Sequence, residues 1–415
     1  MRVDLVDAGL PLASARQPAW SCWQVPATGR FACPSTGLYL LAACSPPGVE
    51  VRVIDEKVAG AYEPAADTEL VAISFKTMDA ARAYALADQL RGRKLRVVLG
   101  GVHASLLPDE AGLHADAVVV GEADELWPVL LADAQRGELR PCYRSERRPD
   151  IRRLAPQRTD LVPHRRYLFH AIQSARGCSL DCEFCPTRHM FGEGFRLRDL
   201  DIVEAEARAL LGREDKPIFF CDDIFGAGEP RYIAELAERL GALSARYAFI
   251  GELKVLGAEL LDTLARTGCL AICVNMPGTC SDDEVRAVEA VRQRGISVWG
   301  YFMFGFEFHR ADVFERCASF VRRTQMEGVF LTLLAPYAGT PMAARLRAEQ
   351  RILSDDWSRY DQSQVVVVPK GMSAAELEEG YARIGAELED LWGLPRIWEG
   401  LSRRLGSPAL ERTDG

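Results

Sequence analysis

Three cysteines stand within eight residues of one another near the middle of the 415-residue chain. Cys178, Cys182 and Cys185 have the spacing CxxxCxxC in the segment SARGCSLDCEFC. Three thiolates on one short loop can ligate three irons of a [4Fe–4S] cluster and leave the fourth iron open to a small ligand. A zinc ion would need a fourth protein ligand, which the nearby His189 can supply, so a Cys3His zinc site is the alternative.

The elements around these cysteines predict a barrel. Strand-like and helix-like segments alternate over residues 171–346, with the strands at 171–175, 218–222, 248–252, 270–275, 297–304 and 328–334. Six such units predict a partial (β/α)6 barrel whose site lies at the carboxyl ends of the strands. The cysteine loop follows the first of these strands directly.

The rest of the chain divides into three parts. Residues 1–142 alternate short apolar strands with helices, which predicts a doubly wound, Rossmann-like α/β domain that binds ligands at the carboxyl ends of its strands. Residues 143–170 are rich in Arg and Pro, which indicates a linker; its arginines form either a solvated face or a strip that binds a polyanion. Residues 347–415 have a mainly helical pattern.

Composition limits the class of protein. Hydrophobic residues make up 48% of the chain and charged residues 26%, as in ordinary soluble proteins. There is no membrane-spanning run and no signal peptide, so we expect a cytoplasmic protein with no membrane span. Its 12 cysteines are then metal ligands or core residues rather than disulfides. The net charge of -9 argues against a broad nucleic-acid-binding surface.

The cysteine motif resembles that of the radical S-adenosylmethionine (SAM) superfamily. The resemblance implies that SAM chelates the open iron through its amino and carboxylate groups. An electron from the cluster then cleaves SAM to methionine and a 5′-deoxyadenosyl radical, which takes a hydrogen atom from the substrate. The barrel positions and shields this chemistry. Phe184 matches the aromatic position that packs near the adenine.

Further segments resemble SAM-binding segments of the same family. They are FFCDD at 219–223, GYFMFGFE at 300–307 and APYAGTP at 335–341. After the fourth strand, family members often have G-x-E-S, whereas this chain has CVNMPGTC at 273–280, which leaves Asn275 or Thr279 for the polar contacts. The SAM-binding residues implied by the resemblance are Phe184, Asp222, Asp223, Asn275, Gly305 and Tyr337.

An α/β domain ahead of such a barrel resembles the cobalamin-dependent class of radical SAM enzymes, over roughly residues 1–390. GGVHASLLPDE at 100–110 and GEADE at 121–125 resemble the fourth and fifth strand loops of its B12-binding domain. The D-x-H-x-x-G signature of other B12 domains is absent, so His103 is not an obvious lower ligand of cobalt. The cobalamin-binding residues implied by the resemblance are Ser74, Lys76, Thr77, Gly100, Gly101, His103, Gly121 and Glu122.

The resemblance implies a methyltransferase that acts on an unactivated carbon. One SAM would methylate reduced cobalamin, a second would be cleaved at the cluster, and the substrate radical would take the methyl group from methylcobalamin. The alternatives are a non-methylating cyclase, rearranging enzyme or oxidoreductase of the same architecture, and a cobalamin- or metal-binding sensor without turnover. The acidic charge and the lack of further cluster motifs favour a small-molecule substrate of the natural-product or pigment type. A one-electron donor such as flavodoxin or ferredoxin is implied as a partner.

Overall fold

The structure is a computed structural model and describes residues 1–9, 24–25 and 30–391. Its strands are β1 (Arg2–Asp7), β2 (Gln24–Val25), β3 (Arg30–Phe31), β4 (Glu50–Asp55), β5 (Leu70–Ser74), β6 (Arg96–Gly100), β7 (Ala117–Val120), β8 (Cys142–Arg144), β9 (His170–Ile172), β10 (Ala175–Cys178), β11 (Gly194–Leu197), β12 (Ile218–Phe220), β13 (Tyr247–Gly251), β14 (Cys269–Met276), β15 (Ser297–Phe304) and β16 (Gly328–Leu333). Its α-helices are α1 (Thr36–Ala43), α2 (Glu56–Ala59), α3 (Ala80–Gly92), α4 (Val102–Leu106), α5 (Pro108–Gly112), α6 (Leu126–Arg136), α7 (Thr187–Phe191), α8 (Leu200–Leu211), α9 (Pro230–Ala242), α10 (Ala258–Arg266), α11 (Asp282–Arg292), α12 (Val313–Thr324), α13 (Pro341–Ala348) and α14 (Ala374–Glu387).

The first six-stranded sheet is parallel and doubly wound. Its order is β4-β1-β5-β6-β7-β8, so the chain reverses direction across the sheet between β1 and β5. Strands such as β5 are apolar and buried almost throughout, because helices cover both faces of the sheet. The prediction of a doubly wound α/β domain is confirmed, and the ligand position for this topology is the edge beside the reversal.

The second six-stranded sheet is also parallel, but its strands follow one another in chain order apart from the hairpin strands. The order is β9-β12-β13-β14-β15-β16, as in a singly wound partial barrel. Its inner face is filled by Phe219, Ala248, Cys273, Trp299 and Phe330. These side chains close the lower part of the barrel and leave its carboxyl end for a site.

Amphipathic helices cover the outside of this barrel. Helix α9 buries Ile233, Leu236, Ala237 and Leu240, which recur at the helical spacing of three or four residues. Helix α11 begins at a capping box in which Ser281 and Glu284 satisfy each other's backbone amides. The helical pattern in the sequence therefore reflects helices with one buried face against the barrel and one polar face.

The prediction of a single first barrel strand over 171–175 is wrong. The chain leaves the barrel sheet after β9, because the amide and hydroxyl of Ser174 bond to Asp222 instead of to a neighbouring strand. It then forms the separate antiparallel hairpin β10-β11. The cysteine loop is therefore carried by this hairpin, which stands above the barrel.

The remaining parts are short. Residues 145–169 contain three short 3₁₀ turns and neither an α-helix nor a strand. Of the C-terminal region, residues 392–415 lie outside the described residues, and α14 is its principal helix among those described. No helix in the described ranges is long and apolar enough to cross a membrane.

Candidate active site

The cysteine loop lies between β10 and α7 at the carboxyl end of the barrel. Cys178 is the last residue of β10 and pairs with Gly194 of β11. Cys182 and Cys185 follow in a turn closed by the Cys185 amide, which donates to the Cys182 carbonyl oxygen at 3.0 Å. Cys182 is exposed, and the other two thiols are half-buried. One short turn thus presents all three thiols.

Asp222 fixes the start of the hairpin that carries the loop. This fully buried carboxylate accepts hydrogen bonds from the amides of Ser174 at 2.6 Å, Ala175 at 3.0 Å and Gly226 at 3.1 Å, and from the Ser174 hydroxyl. Burial raises the pKa of Asp222 to about 6 against the effect of these donors. Because four donors occupy its two oxygens, the geometry gives Asp222 a positioning role.

Asp223 holds the loop itself. Its carboxylate accepts from the Gly177 amide at 3.1 Å and from the Thr187 hydroxyl at 2.8 Å. The same hydroxyl lies 3.2 Å from the sulfur of Cys185. Asp223 therefore connects both ends of the cysteine turn to β12, while it stays half-buried at the mouth of the barrel.

The three thiols form a donor set that requires positive charge. Burial raises the pKa of Cys178, and the charges of Asp223, Cys182 and Cys185 raise it further. Soft thiolates that repel one another are stabilised by iron, and the set fits a cluster held through three irons. Among the described residues, no group of three His, Cys, Asp or Glu side chains converges on a single ion, and His189 is exposed on α7.

One half of the barrel mouth beside the loop is aromatic. The rings of Phe184 and Phe306 lie edge to face with centroids 5.3 Å apart, and Tyr337 and Met303 join the same cluster. Burial, with a smaller contribution from Cys185, raises the pKa of Tyr337 to about 12. The structure thus brings Phe184 and Tyr337 together next to Cys185, on a surface suited to a flat heterocycle.

Gly305 sets the course of the chain at this aromatic surface. It has a φ of +107°, and its amide donates to Nδ1 of the buried His309 at 3.3 Å. Nε2 of His309 donates to the Pro277 carbonyl oxygen at 2.9 Å, and burial lowers the pKa of His309, which keeps the ring neutral. His309 was missed by sequence reasoning, and it links the ends of β14 and β15.

The opposite half of the mouth is polar. Asn275 is exposed near the end of β14, whereas its neighbour Met276 packs into the outer core. Glu252, directly after β13, stands beside Asn275, because Gly251 pairs with Val274. Burial raises the pKa of Cys182, and the charge of Glu252 contributes to the same shift. Glu252 is a second residue that the sequence motifs did not reveal.

A cleft opens at the carboxyl edge of the first sheet. Its walls come from α1 and from the ends of β5, β6 and β7, which is the edge expected for a ligand of this topology. The predicted cobalamin residues that line it are Ser74, Gly100, Gly101, Gly121 and Glu122. Met190 and Phe191, at the end of α7, close its other side.

Glycines shape the floor of this cleft. Gly101 has a φ of +90°, and a Cβ there would lie 2.7 Å from the Ser74 hydroxyl and 3.0 Å from the backbone of Phe75. A Cβ on Gly100 would meet nothing closer than Val119 at 3.8 Å. The chain therefore needs glycine at 101 for the turn, whereas glycine at 100 leaves open space for a bulky ligand. This cradle fits a planar cofactor such as a corrin.

Three of the predicted cobalamin residues do not line the cleft. Lys76 is exposed, Thr77 is buried, and His103 lies in the core on the other face of the sheet. His103 is hydrogen-bonded to Thr77 at 3.2 Å and to Glu110 at 3.4 Å, and its ring packs against Trp357. Burial lowers the pKa of His103. Both ring nitrogens are occupied within the core, so the geometry does not direct this histidine at a ligand in the cleft.

A buried ion cluster joins the cleft to the cysteine hairpin. Arg176, two residues before Cys178, donates to Glu122 at 2.7 Å and to Asp124 at 2.5 Å and 3.0 Å. Arg196 of β11 bonds to the other oxygen of Glu122 at 2.5 Å. The loop after β7 therefore contacts both strands of the hairpin, and sequence reasoning did not find this connection.

The architecture and the site define the class. A doubly wound domain with a ligand cleft, followed by a partial barrel with a CxxxCxxC loop at its mouth, is the arrangement of cobalamin-dependent radical SAM enzymes, and the resemblance inferred from the sequence is confirmed.

Two methyltransferases are similar in sequence to most of this chain. The chain is 27% identical over 374 residues to bacteriochlorophyllide d C-12(1)-methyltransferase of Chlorobaculum tepidum, covering 85% of this chain and 81% of the relative. It is 25% identical over 362 residues to bacteriochlorophyllide d C-8(2)-methyltransferase of the same organism, covering 80% of each. No family model matches the chain.

Solved structures give the same fold. The radical SAM methyltransferase TsrM from Kitasatospora setae superposes with a TM-score of 0.62 at 17% identity, over 92% of this chain and 85% of TsrM, in a structure that holds cobalamin and a [4Fe-4S] cluster. A second TsrM structure, with tryptophan substrate and a SAM analogue, gives the same TM-score over 84% of this chain and 77% of TsrM at 16% identity. The barrel and the doubly wound domain thus occur together in a known protein.

Proposed function

We propose that this protein is a cobalamin-dependent radical SAM methyltransferase that adds a methyl group to a carbon of a small pigment or natural-product molecule. The relatives reported above are named methyltransferases of bacteriochlorophyllides, which supports methyl transfer over the non-methylating alternatives. The proposed cofactors are a [4Fe–4S] cluster, SAM and cobalamin.

The observation that carries the proposal is the common wall between the cleft and the cysteine hairpin. Arg176 bonds to two residues of the cleft, and Met190 and Phe191 on the helix after the cysteine turn line it directly. A reaction that uses both cofactors needs them in one enclosed space, since effective molarity depends on near-contact geometry. The shared wall supports such an arrangement.

The cluster and SAM site is assigned to the barrel mouth. Cys178, Cys182 and Cys185 would ligate the cluster, which with SAM supplies the radical that activates a substrate C–H bond. Phe184, Gly305 and Tyr337 would form the surface for the adenine. Of the polar residues, Asp223 and Asn275 remain candidates for the ribose and methionyl groups, and Glu252 joins them because it lies beside Asn275 and close to Cys182.

The cobalamin site is assigned to the cleft. When bound there, cobalamin would supply the methyl group. Gly100 and Gly121 let the backbone approach the corrin, Gly101 makes the turn, and Ser74 and Glu122 line the same space. Lys76 is exposed next to this edge, so it is still proposed to contact cobalamin, whereas Thr77 and His103 would support the loop after β5 from beneath.

Other parts of the proposal rest on the chain organisation. The domains would span 1–142, 143–170, 171–346 and 347–415; in support, β8 ends the first sheet at Arg144 and β9 begins the second at His170. A cytoplasmic location, a small-molecule substrate and reduction by flavodoxin or ferredoxin complete the proposal.

Product mass after anaerobic turnover tests this function. The purified protein would be reconstituted with iron, sulfide and hydroxocobalamin and incubated with SAM, a reductant and candidate acceptors, first bacteriochlorophyllide d and tryptophan. A gain of one CH2 in an acceptor, together with 5′-deoxyadenosine, is expected. Formation of 5′-deoxyadenosine with an altered acceptor that has gained no carbon would refute methyl transfer.

Cys182→Ala is the matched variant. It removes one of the proposed cluster ligands at an exposed position, so it should abolish 5′-deoxyadenosine formation. Because the cleft lies in the other domain, the variant should still retain hydroxocobalamin. If a folded variant lost both 5′-deoxyadenosine formation and hydroxocobalamin binding, the separate assignment of the two sites would be contradicted.

A further inference from the structure

Five arginines are exposed along residues 144–153, a segment that we call the arginine strip. Its only acids are Glu146 and Asp150, and the chain as a whole carries a net charge of -9. The arginines are Arg144, Arg147, Arg148, Arg152 and Arg153. A positive surface of this kind on an acidic protein requires an explanation, and the methyl-transfer chemistry does not use it.

Arg144 ends β8, and from Arg148 to Arg152 the strip runs along the outer edge of the cysteine hairpin. Arg148 bonds to the Glu193 carbonyl oxygen and lies against Gly192, Arg196 donates to the Pro149 carbonyl oxygen at 2.8 Å, and the Arg152 carbonyl oxygen accepts from the Asp199 amide at 2.9 Å. Strand β11 thus separates the strip from β10, the strand that ends at Cys178. The strip therefore lies two strand spacings, or about 10 Å, from β10.

The positive charge of the strip is not cancelled by the neighbouring loop. The exposed acids of the cysteine loop are already paired, Asp181 and Glu193 with Arg188 and Glu183 with Arg345. Asp150 is paired with Arg152. Within the described part of the chain, Arg144 and Arg147 form no side-chain ion pair. Their charge is therefore available to an external partner.

The cysteine loop adds an apolar contact next to the strip. Leu180, between Cys178 and Cys182, is 50% exposed. Protein interfaces combine an apolar centre with a polar and charged rim. Leu180 is connected to the strip through its neighbour Asp181, since Arg188 pairs with both Asp181 and Glu193, and the Glu193 carbonyl oxygen accepts from Arg148.

We propose that Leu180 and the arginine strip form the docking surface for a small acidic one-electron carrier protein, an inference that rests on the proposed cluster. In the step served by this surface, the carrier loses one electron and the cluster gains it, and no proton or group is transferred. Opposite charges guide and orient such encounters and raise the association rate. Electron transfer slows steeply with distance, so a surface beside the cluster ligands is the effective place.

An acidic protein fits this surface better than a nucleic acid. A long polyanion would meet the negative charge of the rest of the chain beyond a strip of ten residues, and phosphate backbones bind through extended arrays of Lys and Arg. A small acidic carrier contacts only a limited area. Such a carrier protein can also pack an apolar side chain against Leu180, whereas a phosphate backbone cannot.

Reversing the charge of the strip tests the proposal. The double variant Arg144→Glu/Arg147→Glu would be reconstituted with iron and sulfide and mixed anaerobically with reduced flavodoxin while the visible absorbance of the cluster is followed. At low ionic strength its reduction should be at least about tenfold slower than in the wild type, and the wild-type rate should fall with added salt. Reduction by photoreduced deazaflavin, a small neutral reductant, should be unchanged.

Arg165→Glu/Arg166→Glu is the matched control. These arginines are also exposed, but they precede β9 at the opposite end of the barrel, so this variant should keep the wild-type rate with flavodoxin. Equal flavodoxin rates in the strip variant and the wild type would overturn the docking surface. A wild type that binds no iron–sulfur cluster would instead overturn the proposed function, so the two failures are distinguishable.

Discussion

Replacing Arg176 with Gln removes the cation that two buried carboxylates share. The side chains of Arg176, Glu122 and Asp124 are 6%, 4% and 9% exposed. Burial opposes the charge of Arg176, but Asp124 and Glu122 outweigh this effect and raise its pKa, so the group is cationic at all working pH values. In the variant, Glu122 keeps Arg196 as a partner, whereas Asp124 loses Arg176 in a site shielded from water.

The magnitude follows from this geometry. Removing one partner of a buried ion pair costs about 3–5 kcal/mol, because the remaining charge is left without compensation. Arg176→Lys would keep the positive charge but lose the forked contact with Asp124, so the decrease in unfolding free energy should be intermediate. Since the network joins the cleft to the cysteine hairpin, weaker cobalamin retention should accompany the loss of stability.

Urea denaturation of the apoprotein and cobalt content after gel filtration would measure the two effects. Arg239→Gln is the control, because Arg239 is a partly exposed residue of α9 whose ion pairs lie on the surface, and its loss should cost about 0–1 kcal/mol. The reasoning is refuted if Arg176→Gln is no more destabilising than Arg239→Gln and retains the same amount of cobalamin.

Three further predictions concern the cleft and the loop. Gly101→Ala should destabilise the protein and abolish cobalamin retention, whereas Gly100→Ala should keep the wild-type unfolding midpoint and lower only the cobalamin affinity; equal midpoints for the two variants would contradict the glycine assignment. His103→Gln should retain cobalamin. Burial lowers the pKa of His103 below 6.5 in the folded protein, so the neutral ring stabilises the fold above pH 6.5 and this stabilisation is lost as the pH falls from 6.5 through the folded pKa. The unfolding free energy should therefore vary less with pH in the variant than in the wild type. Asp222→Asn should lower the iron bound per chain, because the NH2 group of Asn cannot accept hydrogen bonds from the backbone amides that now donate to Asp222. Full iron content in this variant would show that the hairpin needs no carboxylate there.

Most strands of the two large sheets were predictable because each is a short apolar run between helices. The limits of β15 were predicted correctly at 297–304, and the other barrel strands were placed within one or two residues. The first barrel strand was not, because its run of small and polar residues continues from β9 into the hairpin without a break. Only the burial of Asp222, a tertiary effect, divides the two strands.

The candidate site was predictable only where chemistry depends on local spacing. The cysteine turn is continuous in sequence, and the glycines that line the cleft follow directly after apolar strands. His103 was misleading, because a histidine after a strand is compatible with a ligand and with a core residue, and only the contacts with Thr77 and Glu110 distinguish them. Arg176 gave one signal, a cation inside an otherwise buried strand, but its acidic partners are more than fifty residues away.

The metal content of the anaerobically reconstituted protein tests the central claim most directly. After incubation with iron, sulfide and hydroxocobalamin, we expect about four irons and one cobalt per chain, because the cysteine turn offers three thiolates to one cluster and the cleft takes one corrin. Four irons without cobalt would contradict the methylcobalamin mechanism. Zinc without iron would contradict the cluster and, with it, the proposed function.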